Sequence, residues 1–241
     1  MILLIALVLI LLALLWAVVY AYPKLNRTYE LAHSETHQAG RFELGDTKNP
    51  KFKLLVLGDS AGSGHGMKQF DNAVGSKIAN ELAKNHHVIY LNEAGFGKWI
   101  TDIKNDQIEG RWDLIALIVG SNDVLHGFAS TKFRHHCYEL VDKMKRHSPK
   151  IVIAGPGDMS TLTIFPWWLR PILKRREKVV AKIFQDAAKR VGAVYANTTE
   201  EPRILQNVGK DRLHLSAEGN QILYEFIWNK VAKNGWFRSS S

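Results

Sequence analysis

Short apolar runs that stop at a glycine or a polar turn constrain this chain more than any other feature. They are Leu54–Leu57, Val88–Leu91, Leu114–Val119, Ile151–Ala154 and the weaker Ala193–Ala196. Runs of this length bounded by turn residues read as buried strands. Around them, Asn72–Asn85, Thr131–Arg146, Lys174–Val191 and Ala217–Lys233 carry apolar residues at helical spacing. Strands alternating with helices imply right-handed crossovers and a mostly parallel sheet covered on both faces. The expected fold class is α/β, a three-layer α/β/α sandwich. No internal repeat or low-complexity tract interrupts it, so residues 51–241 read as one domain.

The N-terminus has a different character. Met1 to Tyr22 contains no charged residue, and Trp16, Tyr20 and Tyr22 lie towards its far end. Some 22 helical residues span roughly 33 Å, enough to cross a bilayer core. Interfacial aromatics followed by Pro23-Lys24 fit a membrane anchor. A cleavable signal peptide fits less well, because no basic segment precedes the apolar run and the run is long. The expectation is an uncleaved single-pass transmembrane helix over 1–22 and a polar linker or stalk over 23–50. Lys24, Arg27 and Arg41 after the helix favour a cytoplasmic domain by the positive-inside rule. The bias is small and leaves the side open.

The net charge of +9, from 32 Lys+Arg and 23 Asp+Glu, suits either nucleic acid or an anionic membrane surface. No nucleic-acid motif accompanies it, so a basic domain beside anionic lipid is the simpler account. The single cysteine, Cys137, permits no disulfide within the chain.

Residues able to do chemistry gather at the strand ends. Leu54–Leu57 runs into Gly58-Asp59-Ser60 and the glycine-dense Ala61–Gly66. This puts the Ser60 hydroxyl where a strand gives way to a helix, the ligand-binding edge of open α/β sheets. Acyl transfer by serine needs a base, an orienting carboxylate and oxyanion donors. Asp211-Arg212-Leu213-His214 precedes the last helix. There His214 can take the Ser60 proton while Asp211, three residues earlier, holds the other ring nitrogen. Gly120-Ser121-Asn122-Asp123 follows the third strand and offers the Asn122 amide. Asn92-Glu93-Ala94-Gly95-Phe96-Gly97 follows the second and offers a glycine N–H. Asp59 and Asp123 read as loop-holding carboxylates, and His65 as a solvated loop side chain.

These four stretches, in this order, resemble the blocks of the SGNH (GDSL-type) hydrolase family of serine esterases and lipases, from about Lys53 to Tyr224. The resemblance implies Ser60 as nucleophile and N–H donor, Gly97 and Asn122 as further oxyanion donors, His214 as base and Asp211 as its partner. It selects Gly97 by its distance from Asn92, with Gly95 close enough to stay an alternative. It also implies a flavodoxin-like sheet and no cofactor.

Other features give weaker signals. His86-His87 and His135-His136-Cys137 lack the spacing of a metal site. Gly62, Gly64 and Gly66 fail both nucleotide-loop patterns. Phe165-Pro166-Trp167-Trp168 followed by Lys174-Arg175-Arg176 reads either as an acyl-binding or interfacial flap, or as a loop packed under the domain with a solvated helix start. The expected function is a membrane-anchored serine ester hydrolase cleaving acyl or acetyl esters through an acyl-enzyme, with a lipid or lysophospholipid as substrate. An O-acetyl esterase acting on envelope glycan is the alternative within this chemistry. A non-catalytic membrane-tethered binding domain is the alternative from another class. No nucleic acid and no metal is expected.

Overall fold

The computed structural model describes residues 2–16, 39–127 and 129–237. It divides into two compact units, residues 1–35 and 36–241.

In the first unit, Leu- and Ile-rich sequence forms helix α1, Ile2–Trp16. Its 15 residues rise about 22 Å, short of a bilayer core of about 30 Å. Among the described residues, no helix is long and apolar enough to cross a membrane. The rest of the expected span, 17–22, lies outside the described residues. Helix α1 is nonetheless apolar around its circumference, with Leu7, Leu9, Leu11, Leu15 and Trp16 all exposed.

The second unit is built on six strands: β1 Gly40–Leu44, β2 Lys51–Gly58, β3 His87–Asn92, β4 Leu114–Ile118, β5 Ile151–Ala154 and β6 Val194–Ala196. They lie in the order β1-β3-β2-β4-β5-β6. All pairs are parallel except β1 with β3, whose antiparallel register sets Gly40 opposite Asn92 and Leu44 opposite Val88. From β2 the chain turns to β3 on one side, then crosses to β4 on the other. The C-terminal end of β2 is therefore a topological switch point, where open sheets bind ligands.

Strand β1 corrects the expectation that 23–50 is all linker; residues 23–38 of that stretch lie outside the described residues. Arg41 and Glu43 face out while Phe42 packs 4.6 Å from Phe70 and 5.6 Å from Tyr90. Two apolar residues beside a glycine are too weak a signal to read as a strand, yet they suffice once β3 supplies a partner.

Alternation along the strands divides the core. Leu55, Leu57, Ile115, Leu117 and Ile153 face one layer, which contains α3 Ile100–Asn105, α5 Ser130–His147 and α6 Arg170–Val191. Leu54, Val56, Val88, Tyr90 and Ala116 face the other, which contains α2 Val74–Ala83 and α8 Ala217–Lys233. The short helices α4 Ser121–His126 and α7 Arg203–Gln206 complete the loops at the C-terminal sheet edge.

Candidate active site

The Ser60 turn is shaped by the close approach of β2 to β4. A side chain at Gly58 would bring its Cβ within 1.9 Å of the Ile118 carbonyl oxygen, so glycine alone keeps the strands paired here. Asp59 N–H still donates to that oxygen at 3.0 Å. The Asp59 carboxylate then folds back, accepting from Ala61 N at 3.0 Å and from Ser121 N at 3.3 Å. Ser63 N donates to Asp59 O and His65 N to Ser60 O, both at 3.0 Å. The N–H groups of Asp59, Ala61, Ser63 and His65 are thus used in closing the turn, while the Ser60 N–H meets no acceptor among the described residues. Burial pushes the Asp59 carboxyl up to about 6, against the pull of its backbone donors.

The three strand-end loops are tied in a ring. Asn92 ends β3 and donates through Nδ2 to Gly62 O at 3.1 Å, holding the second loop to the Ser60 turn. Asp59 binds the Ser121 N–H, holding the Ser60 turn to α4. Asn122 donates through Nδ2 to Lys98 O at 3.0 Å, closing the ring. That bond occupies one of the two amide hydrogens and leaves the second for a ligand. Asp123 accepts from Ile100 N at 3.3–3.4 Å, and burial pushes its carboxyl up to about 7. Asp59 and Asp123 thus hold their loops as the sequence suggests.

The same bonds separate the two glycines. Gly95 N–H is spent on Gly58 O at 3.1 Å. Gly97, one residue before the carbonyl that receives Asn122, has no acceptor for its N–H among the described residues. At Gly97 an added Cβ would meet open space, so glycine serves the left-handed backbone, φ +72°, rather than a close approach.

The second half of the site is a tight loop. Gly209 N donates to His214 O at 2.7 Å, Arg212 N to Gly209 O at 2.9 Å, and Val208 pairs with Leu215 across it. Arg212 takes φ +60°, a conformation costing a non-glycine residue about 1–3 kcal/mol, which the surrounding bonds hold in place. Asp211 Oδ1 accepts from Leu213 N at 3.0 Å and His214 N at 3.1 Å, and Oδ2 lies 2.5 Å from His214 Nδ1. Burial alone would raise the Asp211 carboxyl; the His214 ring and the two N–H groups outweigh it and hold it below the usual carboxylate range. An ionised carboxylate only accepts, so Nδ1 carries the proton and Nε2 keeps a lone pair free to act as base. Ser216 caps α8 by accepting from Gly219 N at 3.2 Å, anchoring the end of the loop.

Ser60, Asn122 and His214 line one cavity at the C-terminal sheet edge, beside the buried Asp211. It encloses about 70 Å³, room for a few waters or a short acyl group. Its walls are mainly apolar, with Leu125, Met159, Leu205, Leu213 and Leu223 among them. Ser60 Oγ and His214 share the space without a mutual hydrogen bond, a contact that commonly forms only with substrate bound. Gly97 lies outside the lining.

Two readings of side chains require correction. His65 is not solvated: it is buried, lines the cavity and packs its ring 4.6 Å from that of His214 and 4.7 Å from Phe96. A histidine among four glycines gives no sequence signal for this, because the bent turn alone carries it inward. Phe165, Trp167 and Trp168 do not line the cavity. Phe165 packs against the core on the α5–α6 side, while the turn closed by Leu169 N and Pro166 O leaves Trp167 and Trp168 exposed. Leu125, Met159 and Leu205 were missed as walls, since apolar residues near strand ends look like core.

Comparison with known proteins adds a family match. The sequence model of the GDSL-like Lipase/Acylhydrolase family matches residues 56–222. No curated protein matches the sequence. Among solved structures, the fold is similar to Axe2, an acetylxylan esterase from Geobacillus stearothermophilus, at 17% identity and a TM-score of 0.59, covering 79% of this chain and 98% of that one. It is also similar to LAE5, an α/β hydrolase enzyme from the metagenome of Lake Arreo, Spain, at 16% identity and a TM-score of 0.61, covering 76% and 96%. A third is TesA, at 16% identity and a TM-score of 0.57, covering 75% and 98%. At such identities the likeness is one of fold.

Proposed function

This chain belongs to the GDSL-like lipase/acylhydrolase family and is a serine hydrolase acting on ester bonds, and from that premise we propose that it is held at a membrane and cleaves acyl esters of lipid or lysophospholipid type through an acyl-enzyme on Ser60. The observation that carries the chemistry is the 2.5 Å Asp211–His214 pair opening onto the same apolar cavity as Ser60 and Asn122. Ser60 Oγ attacks the ester carbonyl and passes its proton to His214 Nε2, while Asp211 stabilises the imidazolium. The oxyanion takes hydrogen bonds from the Ser60 N–H, the Gly97 N–H and the second Asn122 amide hydrogen. As the tetrahedral centre collapses, the C–O bond to the leaving group breaks and His214 returns the proton to the departing alkoxide. Water then attacks the acyl-enzyme by the same route, releasing the acid and restoring Ser60.

The uncharged stretch Met1–Tyr22 and the basic net charge of +9 support a single-pass membrane location. The apolar cavity wall supports an acyl chain. Two observations favour a second reading, an O-acetyl esterase acting on glycan: a 70 Å³ cavity suits a short acyl group, and Axe2, of similar fold, is an acetylxylan esterase. Hydrolysis of p-nitrophenyl esters from acetate to long chains, by wild type and Ser60→Ala, separates them. Ser60-dependent turnover rising with chain length supports the lipid ester, and a preference for acetate supports the glycan reading. Equal inertness of both proteins across the series and towards natural lipids overturns the catalytic proposal in favour of a binding domain.

A further inference from the structure

Outside α1, the exposed large hydrophobic side chains of the described residues are Phe96, Trp167, Trp168, Ile172 and Val179. Four of these five fall within one segment that leads from the active-site edge into α6. Trp167 is 80% exposed and Trp168 54%, values opposite to those of aromatics packed under a domain. Trp168, Ile172 and Val179 recur at i, i+4 and i+11, which places them along one side of the helix and the turn before it. Phe96 follows β3, so it stands on the same sheet edge as Trp167, which follows β5.

The charge around this patch has one sign. Between Ile164 and Lys182 the only acid is Glu177, and it is buried. Lys174 is neutralised by Asp158. Arg170 and Arg176 bond to carbonyl oxygens, of Phe165 and of Val124 and Leu125, and pair with no carboxylate among the described residues. Arg175 and Lys178 pair with no carboxylate among the described residues. Exposed tryptophans ringed by uncompensated cations match the headgroup region of an anionic bilayer, where indole rings settle and phosphates meet arginine.

We propose that Trp167, Trp168 and Ile172, flanked by Arg175 and Lys178, dock the catalytic domain onto an anionic lipid surface with the cavity edge facing it. The presence of a bilayer rests on the membrane reading above; the orientation of the domain on it is new. Docked in this way, the domain takes its ester from the membrane plane rather than from solution.

The test uses the full chain in vesicles, with an environment-sensitive fluorophore on Trp168→Cys, Ile172→Cys or Lys145→Cys. Cys137 is buried and stays unlabelled. Lys145 is exposed near the C-terminal end of α5, at the opposite sheet edge. In phosphatidylglycerol-containing vesicles, emission at 168 and 172 is expected to shift to shorter wavelength and be quenched by spin-labelled lipid, with position 145 unaffected. Pure phosphatidylcholine or high salt should weaken the response. No shift at 168 and 172, or equal shifts at all three positions, overturns the proposal. A shift that spin-labelled lipid fails to quench also overturns it and assigns the patch to a protein partner. None of these readings depends on ester turnover, so failure of the chemistry is separately visible.

Discussion

The turn at Asp59 and the loop at Asp211 solve the same local problem with opposite electrostatic results. Each buries a carboxylate next to a reacting side chain, and each carboxylate accepts the N–H two residues on, from Ala61 and from Leu213. They differ in what the second oxygen meets. For Asp59 it is the neutral N–H of Ser121, which does not offset burial, and the carboxyl is pushed up to about 6. For Asp211 it is the His214 ring, and the carboxyl is held down. A backbone donor suffices for a carboxylate that ties loops together. One that must stay charged through a proton transfer needs a partner that becomes a cation.

The two carboxylates differ most in what their loss does to the reacting groups. Ser60→Ala or His214→Ala is expected to cost on the order of 10⁶ in kcat, measured on a soluble ester. Asp211→Asn should cost about 10⁴, because an amide at that position donates to Nδ1 and forces the proton onto Nε2. Asp59→Asn should cost far less, since it has no bond to His214. Equal losses for the two would show that the carboxylates share one role. Next in size is Asn122→Ala, expected to lower kcat by about 10²–10³ through loss of one oxyanion donor. An undiminished kcat would remove Asn122 from the oxyanion hole. Gly97, with its free N–H, would then be left as the partner of the Ser60 N–H.

The same two regions show what a sequence reveals of a site. The central strands were legible because they bury both faces and so read as continuous apolar runs, as in Leu54–Leu57, Leu114–Ile118 and Ile151–Ala154, while the half-buried Val194–Ala196 reads more weakly. Ser60, Asn122 and the Asp211–His214 spacing were legible because their chemistry demands particular residue types at strand ends. The interior of the turns was not legible. His65 enters the cavity only through the bend between Ser60 and Gly66. The bonds that tie Asn92 to Gly62 and Asn122 to Lys98 join residues about 24–30 positions apart through loop geometry alone. Helix α4, starting at Ser121, is not legible as a helix because six residues give no periodicity. Phe42 on β1 acquires its meaning only from Tyr90, on a strand the pattern does not link to it.

The smallest expected effect is also the sharpest separation of the two carboxylates, because it appears as opposite slopes of stability against pH. The Asp59 carboxyl is raised on folding, from an ordinary value near 3.8 to about 6. The folded state therefore holds the proton more tightly, and the stabilising contribution is complete below about pH 4 and lost as pH rises towards 6. A shift of that size amounts to roughly 3 kcal/mol at most. Asp123, raised to about 7, adds a slope of the same sign reaching slightly higher. Asp211 is lowered, so its contribution is present above its ordinary value and lost only as pH falls through the depressed one. Urea unfolding of the full chain from pH 3 to 8 should show Asp59→Asn flattening the decline between about pH 4 and 6. Asp211→Asn should run parallel to wild type there and diverge only at the acid end. If Asp59→Asn instead runs parallel to wild type throughout, the Asp59 carboxylate is ionised in the fold. The two regions would then differ in the partner of the second oxygen alone and not in charge.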